Sequence, residues 1–130
     1  LATKAENKTI TQLQEYAPNL SCVEDQNITP DELLQWLEEN KAFNLLDVRE
    51  IHEFQQGHLL KAISLPLSKL NGKFPDLSKE LPCVVMCLQG GRSRKAIKHL
   101  QEIDPDIPLL NLEGGMSEWI NKMGSKHLIT

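Results

Sequence analysis

The segment that decides the fold reads Val84-Val85-Met86-Cys87-Leu88-Gln89-Gly90-Gly91-Arg92-Ser93-Arg94. It opens with a wholly apolar run, the pattern of a strand buried on both faces of a parallel sheet. A loop with two adjacent glycines follows, and from Arg92 onward apolar residues recur at helical spacing. The sequence therefore places Cys87 where a buried strand turns into a helix, which is where open α/β sheets bind ligands.

The loop after Cys87 favours the ionised form of its side chain. A tight loop ahead of a helix directs backbone N–H groups inward, and the helix N-terminus adds about half a positive charge. Gly90 and Gly91 let the backbone approach the sulfur closely, and Arg92 adds a permanent cation. These features predict a nucleophilic thiolate in a cradle that also fits an anionic persulfide or an oxyanion. The alternative is a small apolar residue that closes the strand.

Three motifs, in order along the chain, resemble the signatures of the rhodanese family of sulfurtransferases. Cys87-x-x-x-x-Arg92-Ser93 resembles the active-site loop, Leu46-Asp47-Val48-Arg49-Glu50 with Gly57-His58-Leu59 the first signature, and Glu113-Gly114-Gly115-Met116 with Trp119 the closing one. The resemblance covers residues 28–123. It implies a rhodanese-like α/β fold with a central parallel sheet of about five strands and helices on both faces. The strong alternation of apolar runs and helical patterns agrees with an α/β fold.

The resemblance assigns sulfur transfer to Cys87. A donor, either thiosulfate or a cysteine desulfurase, would leave a sulfane sulfur on the thiolate as a persulfide, which then passes to an acceptor. We expect no cofactor and no metal, since no pair of histidines has metal-ligand spacing. The residues predicted to hold the persulfide anion are those of the loop and the helix start: Leu88, Gln89, Gly90, Gly91, Arg92 and Ser93.

Asp47 and Arg49 are candidate supporting residues. They follow a second buried strand, Phe43 to Val48, and emerge at the same edge as Cys87 if the sheet is parallel. One interpretation is an electrostatic wall beside the site. The other is an ion pair, of Arg49 with Glu53 or Asp47, that fixes the loop.

The chain divides into three predicted parts. Residues 1–27 are a linker, 28–124 the rhodanese-like domain and 125–130 a frayed tail. The stretch from Lys8 to Tyr16, followed by Cys22, is similar to the tail of a ubiquitin-activating-type adenylyltransferase domain. That tail leads into a rhodanese domain in fusions of the molybdopterin and thiamin sulfur-carrier type. Since the sequence also begins at Leu1 and not at methionine, we expect a fragment of a longer chain.

The fusion resemblance implies a particular acceptor. The persulfide would attack the adenylated carboxyl terminus of a ubiquitin-like sulfur carrier to give an acyl disulfide. A second thiol, from Cys22 or from the adenylyltransferase half, would then release a thiocarboxylate. The alternative is a free-standing thiosulfate sulfurtransferase, which needs the same loop.

Two further functions compete with sulfur transfer. Dual-specificity cell-cycle phosphatases and arsenate reductases of this fold have a cysteine loop that is one residue longer, with room for a tetrahedral anion. Here four residues separate Cys87 from Arg92, and no aspartate lies in the loop to protonate a leaving group. Non-catalytic modules of the same fold usually lose the cysteine, which is present here.

Composition narrows the class of protein. The 130 residues carry a net charge of −4, which gives no basic footprint for nucleic acid or an anionic membrane. No apolar run approaches the roughly 20 residues of a membrane span. The three cysteines, Cys22, Cys83 and Cys87, cannot all pair, and on one strand Cys83 and Cys87 would be about 13 Å apart. We therefore expect a reducing, cytoplasmic setting.

Overall fold

The structure, a computed structural model, describes residues 26–70, 72 and 75–130, together with the backbone of residues 2–3 and 5–6. The predicted linker of residues 1–27 falls mostly outside this range, as does Cys22. Two short strands, β1 (Ala2–Thr3) and β2 (Ala5–Glu6), pair with each other and not with the main sheet.

Strands and helices alternate along the rest of the described chain. The elements are β3 (Asn27–Ile28), α1 (Pro30–Glu38), β4 (Asn44–Asp47), α2 (Ile51–Gln56), β5 (His58–Leu59), β6 (Ile63–Ser64), a 3-10 turn (Leu67–Lys69), β7 (Cys83–Met86), α3 (Gly91–Ile103), β8 (Leu109–Leu112), α4 (Gly115–Met123) and β9 (Leu128–Ile129). The main sheet has five parallel strands in the order β3-β8-β7-β4-β6. The predicted α/β fold with a five-stranded parallel sheet is confirmed.

The sheet separates two apolar cores, one on each face. Successive residues of a strand point to opposite faces, so the apolar run of β7 divides between the cores. Val84 and Met86 pack with residues of α1 and α4, whereas Cys83 and Val85 pack with residues of α3. Helices therefore cover both faces, as predicted, and β7 lies at the centre with its carboxyl end beneath the start of α3.

Local sequence signals set the start of α1. The Glu32 N–H donates to Thr29 Oγ1 at 3.1 Å, and the Thr29 N–H donates to Glu32 Oε1 at 3.0 Å, which completes the predicted capping box. Pro30 occupies the first helical position, where its missing N–H costs nothing.

Among the described residues, no helix has the length and apolar character needed to cross a membrane.

The carboxyl-terminal residues 125–130 are ordered differently from what the sequence predicted. β9 pairs antiparallel with β5, with Leu128 opposite Leu59, so the prediction of a frayed tail over residues 125–130 is wrong. Trp119 supplies a physical reason, because its fully buried indole needs an acceptor for its N–H. Trp119 Nε1 donates to Lys126 O at 3.0 Å, which holds the chain against the domain as it leaves α4.

Candidate active site

Cys87 lies directly after β7, at the floor of the loop that leads into α3. Its side chain is only 1% exposed. The Gly90 N–H donates to Sγ at 3.0 Å, and Ser93 Oγ lies 3.5 Å from the same sulfur. Gly90 has a φ of 114°, a conformation that favours glycine, and it directly precedes the first residue of α3. The loop thus brings the Gly90 amide to the sulfur, whereas Gly91 lies exposed as the first residue of α3.

The hydrogen bonds to Cys87 outweigh its burial. Burial by itself raises the pKa of the thiol, because a buried charge loses its hydration. The Ser93 hydroxyl and the backbone amides of Ser93, Gly90 and Gln89 stabilise the anion and bring the pKa of Cys87 below its usual value. The lowered pKa makes the thiolate of Cys87, the form that acts as a nucleophile, more accessible than that of an ordinary cysteine.

Cys83 differs sharply from Cys87, although both lie against the same apolar core. Burial raises the pKa of Cys83 to about 12. No amide or hydroxyl offsets this effect, so Cys83 stays a neutral thiol near neutral pH. Neither cysteine forms a disulfide.

The start of α4 anchors the other side of the loop. The Met116 N–H donates to Cys87 O at 2.8 Å, and the Ser117 N–H donates to Leu88 O at 2.9 Å. Gly115 has a φ of 57°, and a Cβ on it would lie 2.4 Å from Cys87 O. The closing motif therefore holds the loop in place through its backbone. The sequence analysis gave Gly114 and Gly115 only as part of the closing motif, with no contact to the Cys87 loop; the adjacent glycines were the available signal.

Ser93 and Asn111 form a buried polar contact beneath the loop. Their side chains are 0% and 1% exposed. Ser93 Oγ donates to Gly90 O at 3.0 Å and also hydrogen-bonds Asn111 Oδ1. Sequence reasoning did not single out Asn111. Its signal is a lone amide within the apolar strand β8, where a polar side chain requires a specific partner.

Arg92 forms an ion pair with Glu53, a residue that the sequence analysis considered as a partner for Arg49. Its Nη1 donates to Glu53 Oε1 at 2.7 Å and its Nη2 to Glu53 Oε2 at 3.0 Å. The hydrogen bonds from Arg92 are the main cause that lowers the pKa of Glu53 to about 2. Glu53 was one of two predicted partners for Arg49; it pairs with Arg92 instead.

Asp47 and Arg49 form a buried ion pair with each other. Arg49 Nη2 donates to Asp47 Oδ2 at 2.7 Å and to Gly57 O at 2.7 Å, and Arg49 Nε donates to Asp47 Oδ1 at 3.0 Å. The two side chains are 6% and 0% exposed. This geometry favours the ion-pair interpretation over an electrostatic wall. Through Arg49 the ion pair connects Asp47, at the end of β4, to Gly57, just before β5.

The outer part of the loop is open to solvent. Leu88 is 38% exposed, and Gln89 and Gly91 are exposed as well. Arg94 Nη1 lies 3.7 Å from the position that a Cβ on Gly90 would occupy. Arg94 forms no ion pair within the described part of the chain, so it is a cation beside the loop that the sequence prediction missed. The described residues contain no cluster of His, Cys, Asp and Glu able to hold a metal.

Comparison with known proteins identifies the family of the chain. A family model described as "Rhodanese-like domain" matches residues 29–122. The chain is 38% identical over 96 residues to the adenylyltransferase and sulfurtransferase MOCS3 of Drosophila virilis, a match that covers 68% of this chain and 21% of that protein. It is 30% identical over 97 residues to Bacillus subtilis YtwF, whose name describes a candidate sulfurtransferase; this match covers 75% of the chain and 92% of YtwF.

A solved structure shows the same arrangement of elements. The crystal structure of a rhodanese-related protein from Thermoplasma volcanium superposes with a TM-score of 0.66 at 28% identity, covering 75% of this chain and 93% of that one. In five of the curated relatives the matched segment spans only between 20% and 64% of the relative's length.

Proposed function

Because the chain belongs to the rhodanese-like domain family, we propose that it is a sulfurtransferase that carries a sulfane sulfur as a persulfide on Cys87. The observation that carries the proposal is the set of hydrogen bonds to Sγ, led by the Gly90 N–H at 3.0 Å. These donors favour an anion at the sulfur and match a persulfide as well as a thiolate. The sulfurtransferase names of MOCS3 and YtwF support the same class of reaction.

The first half-reaction loads the sulfur. With thiosulfate, the Cys87 thiolate attacks the outer sulfur, the sulfur–sulfur bond of the donor breaks, and sulfite leaves with the electron pair. With a cysteine desulfurase, the leaving group is the thiolate of the desulfurase's own persulfide. In both cases the product is a persulfide anion on Cys87, held by the loop amides and the start of α3.

The second half-reaction delivers the sulfur to an acceptor. We propose that the acceptor is the adenylated carboxyl terminus of a ubiquitin-like sulfur carrier; the name of MOCS3, which joins an adenylyltransferase to a sulfurtransferase, supports this proposal. The terminal sulfur attacks the acyl carbon, AMP leaves, and an acyl disulfide joins the carrier to Cys87. A second thiol then releases the thiocarboxylate and is left in a disulfide with Cys87. Thiols in both roles require a reducing compartment such as the cytoplasm.

A free-standing thiosulfate sulfurtransferase is the second candidate. In that reaction cyanide attacks the terminal sulfur of the persulfide, giving thiocyanate and the free Cys87 thiolate. The match to YtwF favours it, because that relative is covered over 92% of its length. Both candidates predict ping-pong kinetics with a covalent intermediate.

The short loop counts against a phosphatase. Four residues separate Cys87 from Arg92, which leaves little room for a tetrahedral anion. No aspartate lies within the loop to protonate a leaving group.

The mass of the intact domain after treatment with thiosulfate tests the proposal. We expect a gain of one sulfur atom that a reductant removes. The gain should be absent in Cys87→Ala and retained in Cys83→Ala. Cys83→Ala is a matched control because Cys83 is the first residue of β7, the strand that leads into Cys87, but stays a neutral thiol. No gain from thiosulfate or from a persulfidated cysteine desulfurase would overturn sulfur transfer.

The acceptor is tested with the loaded domain. Isolated persulfidated protein is mixed either with an adenylated ubiquitin-like carrier plus a thiol or with cyanide. A carrier thiocarboxylate, seen by mass, supports the first candidate. Thiocyanate formed without any carrier product supports the second.

A further inference from the structure

We propose that the outward side of α3, which begins at the Cys87 loop, is the docking surface for an acidic face of the ubiquitin-like sulfur carrier. This surface, the cationic face of α3, consists of Arg94, Lys95 and Lys98. The inference rests on the proposed function and deepens it. It states how the acceptor protein is held while its carboxyl terminus lies at Cys87.

The residues of the cationic face share one side of the helix. With about 3.6 residues per turn, positions 91, 94, 95, 98 and 102 of α3 fall within a sector of about 100°. All of these positions are exposed, and the buried residues of α3 lie on the opposite side. Three of the five carry a positive charge, and the acidic residue Glu102 comes only at the end away from Cys87. The part of the helix nearest the loop therefore presents positive charge alone.

The charges of the cationic face are not balanced within the described part of the chain. None of its three residues forms an ion pair there, whereas the neighbouring Arg92 is balanced by Glu53. The chain as a whole has a net charge of −4, so this patch differs in sign from the average of the molecule. A patch of one sign attracts a partner of the opposite sign and raises the rate of encounter. The partner that fits is acidic.

The positions of these cations do not stabilise α3. The first turn of the helix contains no acidic residue, and Arg94 and Lys95 lie at or just after it. The helix N-terminus already carries a partial positive charge, so cations there lower the stability of the helix. Local folding thus gives no reason for these two charges, and recognition of an acidic partner does.

The cationic face adjoins the open part of the Cys87 loop. Leu88 is 38% exposed and offers an apolar contact beside Cys87. A Cβ on Gly91 would meet no atom within 4 Å, so the backbone between Leu88 and the cations is bare. A bare backbone lets an extended chain approach closely, and apolar contacts beside a charged rim are typical of protein interfaces. In the docked complex the carrier's carboxyl terminus lies along Leu88 and Gly91, and its acidic face covers the cationic face.

A folded protein fits the cationic face better than a small anion or a nucleic acid. Lys98 lies about 10 Å beyond Gly91 along the helix axis, at about 1.5 Å per residue, so one thiosulfate at Cys87 does not contact all three cations. Nucleic-acid sites combine cations with aromatic side chains on which bases stack. The large apolar residues that are exposed in the described chain are all aliphatic.

The test is binding of a ubiquitin-like sulfur carrier with an unmodified carboxyl terminus, which involves no sulfur chemistry. In Lys95→Glu/Lys98→Glu we expect the Kd, measured by calorimetry on the full chain, to rise about tenfold at low ionic strength. The difference should shrink as salt is added. In nitrogen-15 NMR of the unmodified protein, the amides that shift on adding the carrier should lie in the loop and the first two turns of α3.

Lys41→Glu/Lys122→Glu is the matched control. It changes the net charge by the same amount at two exposed residues, one just beyond α1 and one near the end of α4. These helices cover the other face of the sheet from α3. The control should bind the carrier as the unmodified protein does.

Stability separates docking from folding. Lys95→Glu places a negative charge near the start of α3, where the helix dipole favours it, so urea unfolding should shift to the same or a higher midpoint while binding weakens. If the double reversal does not fold, Lys95→Gln/Lys98→Gln replaces it, with an expected rise in Kd of about threefold.

Three results would overturn the inference. One is an unchanged Kd in both double variants at positions 95 and 98, and another is an equal loss of affinity in Lys41→Glu/Lys122→Glu. The third is a mixed-sequence RNA that binds more tightly than the carrier and loses that binding in Lys95→Glu/Lys98→Glu. Salt-sensitive carrier binding without any persulfide on Cys87 would instead contradict sulfur transfer and leave the docking surface standing.

Discussion

Arg92 and Glu53, 39 positions apart, form a two-pronged ion pair with nitrogen–oxygen distances of 2.7 and 3.0 Å. The pair joins the first turn of α3 to α2, and Glu53 balances the charge of Arg92, which directly follows the Cys87 loop. Arg94 is left as the cation beside Gly90 without an ion-pair partner in the described chain. The arginine whose charge is balanced by Glu53 and the arginine whose charge has no described ion-pair partner are thus different residues.

Glu53→Gln should lower the free energy of unfolding at pH 7 by about 1 kcal/mol, a value that allows for solvent screening of this partly exposed pair. The pKa of Glu53 falls from 4.5 to about 2 in the folded protein. Its stabilising effect is therefore complete above pH 4.5 and is lost as the pH falls towards 2. Urea unfolding of variant and unmodified protein should converge over that window. Glu102→Gln, at an exposed site on α3, should show no such convergence.

Arg94→Gln should raise the KM for thiosulfate about threefold to tenfold, because it removes a nearby cation that attracts the dianion. The maximal rate should change little, since Arg94 forms no hydrogen bond to Sγ. The difference should shrink as salt is added. Lys98→Gln, one turn further along α3, is the control; an equal effect there would mean that the helix charge as a whole attracts the donor.

Asp47→Asn should reduce the free energy of unfolding by about 3 kcal/mol, because it leaves Arg49 buried without a counter-charge. In the double variant Asp47→Leu/Arg49→Met part of that loss should return. Persulfide formation per folded molecule should stay unchanged in both. Slower persulfide formation at unchanged stability would instead favour the electrostatic-wall interpretation. Urea unfolding and intact mass supply the two readouts.

Gly115→Ala should slow Cys87 alkylation in the folded protein as well as destabilise it. The new Cβ would lie 2.4 Å from Cys87 O and 2.7 Å from the Leu88 carbonyl carbon, so the loop must move. Gly124→Ala also adds a side chain at positive φ, 62°, but with no atom within 4 Å. It should lose stability, on the order of 1–3 kcal/mol, because φ 62° with ψ −130° is a backbone conformation that residues with a Cβ rarely adopt, and it should keep the alkylation rate. Equal rates in the two variants would show that the α4 contact does not shape the loop.

Periodic and local signals made most of the fold predictable. The apolar run of β7, the capping box at Thr29 and the helical spacing after Arg92 all depend on residues close in sequence. The glycine loop after Cys87 likewise combines strand, turn and helix start within one short segment. These features placed the sulfur correctly at the carboxyl end of the central strand.

Polar contacts between distant residues were not predictable in the same way. The pairing of Glu53 with Arg92 and of Asn111 with Ser93 depends on the packing of whole elements, which no periodicity encodes. Arg49 had two acidic candidates nearby, and sequence distance alone did not choose between them. β9 was missed because two residues are too few to show strand alternation.

The pairing of β9 with β5 extends the folded unit past the end of α4. The family match stops at residue 122, and helical periodicity ends near Gly124, so a boundary chosen by either criterion would remove β9. A protein cut there would leave the Trp119 indole N–H without its acceptor and uncover Leu59, which is 0% exposed. Residues 125–130 are accordingly part of the folded domain. An affinity tag should follow these residues and should not replace them.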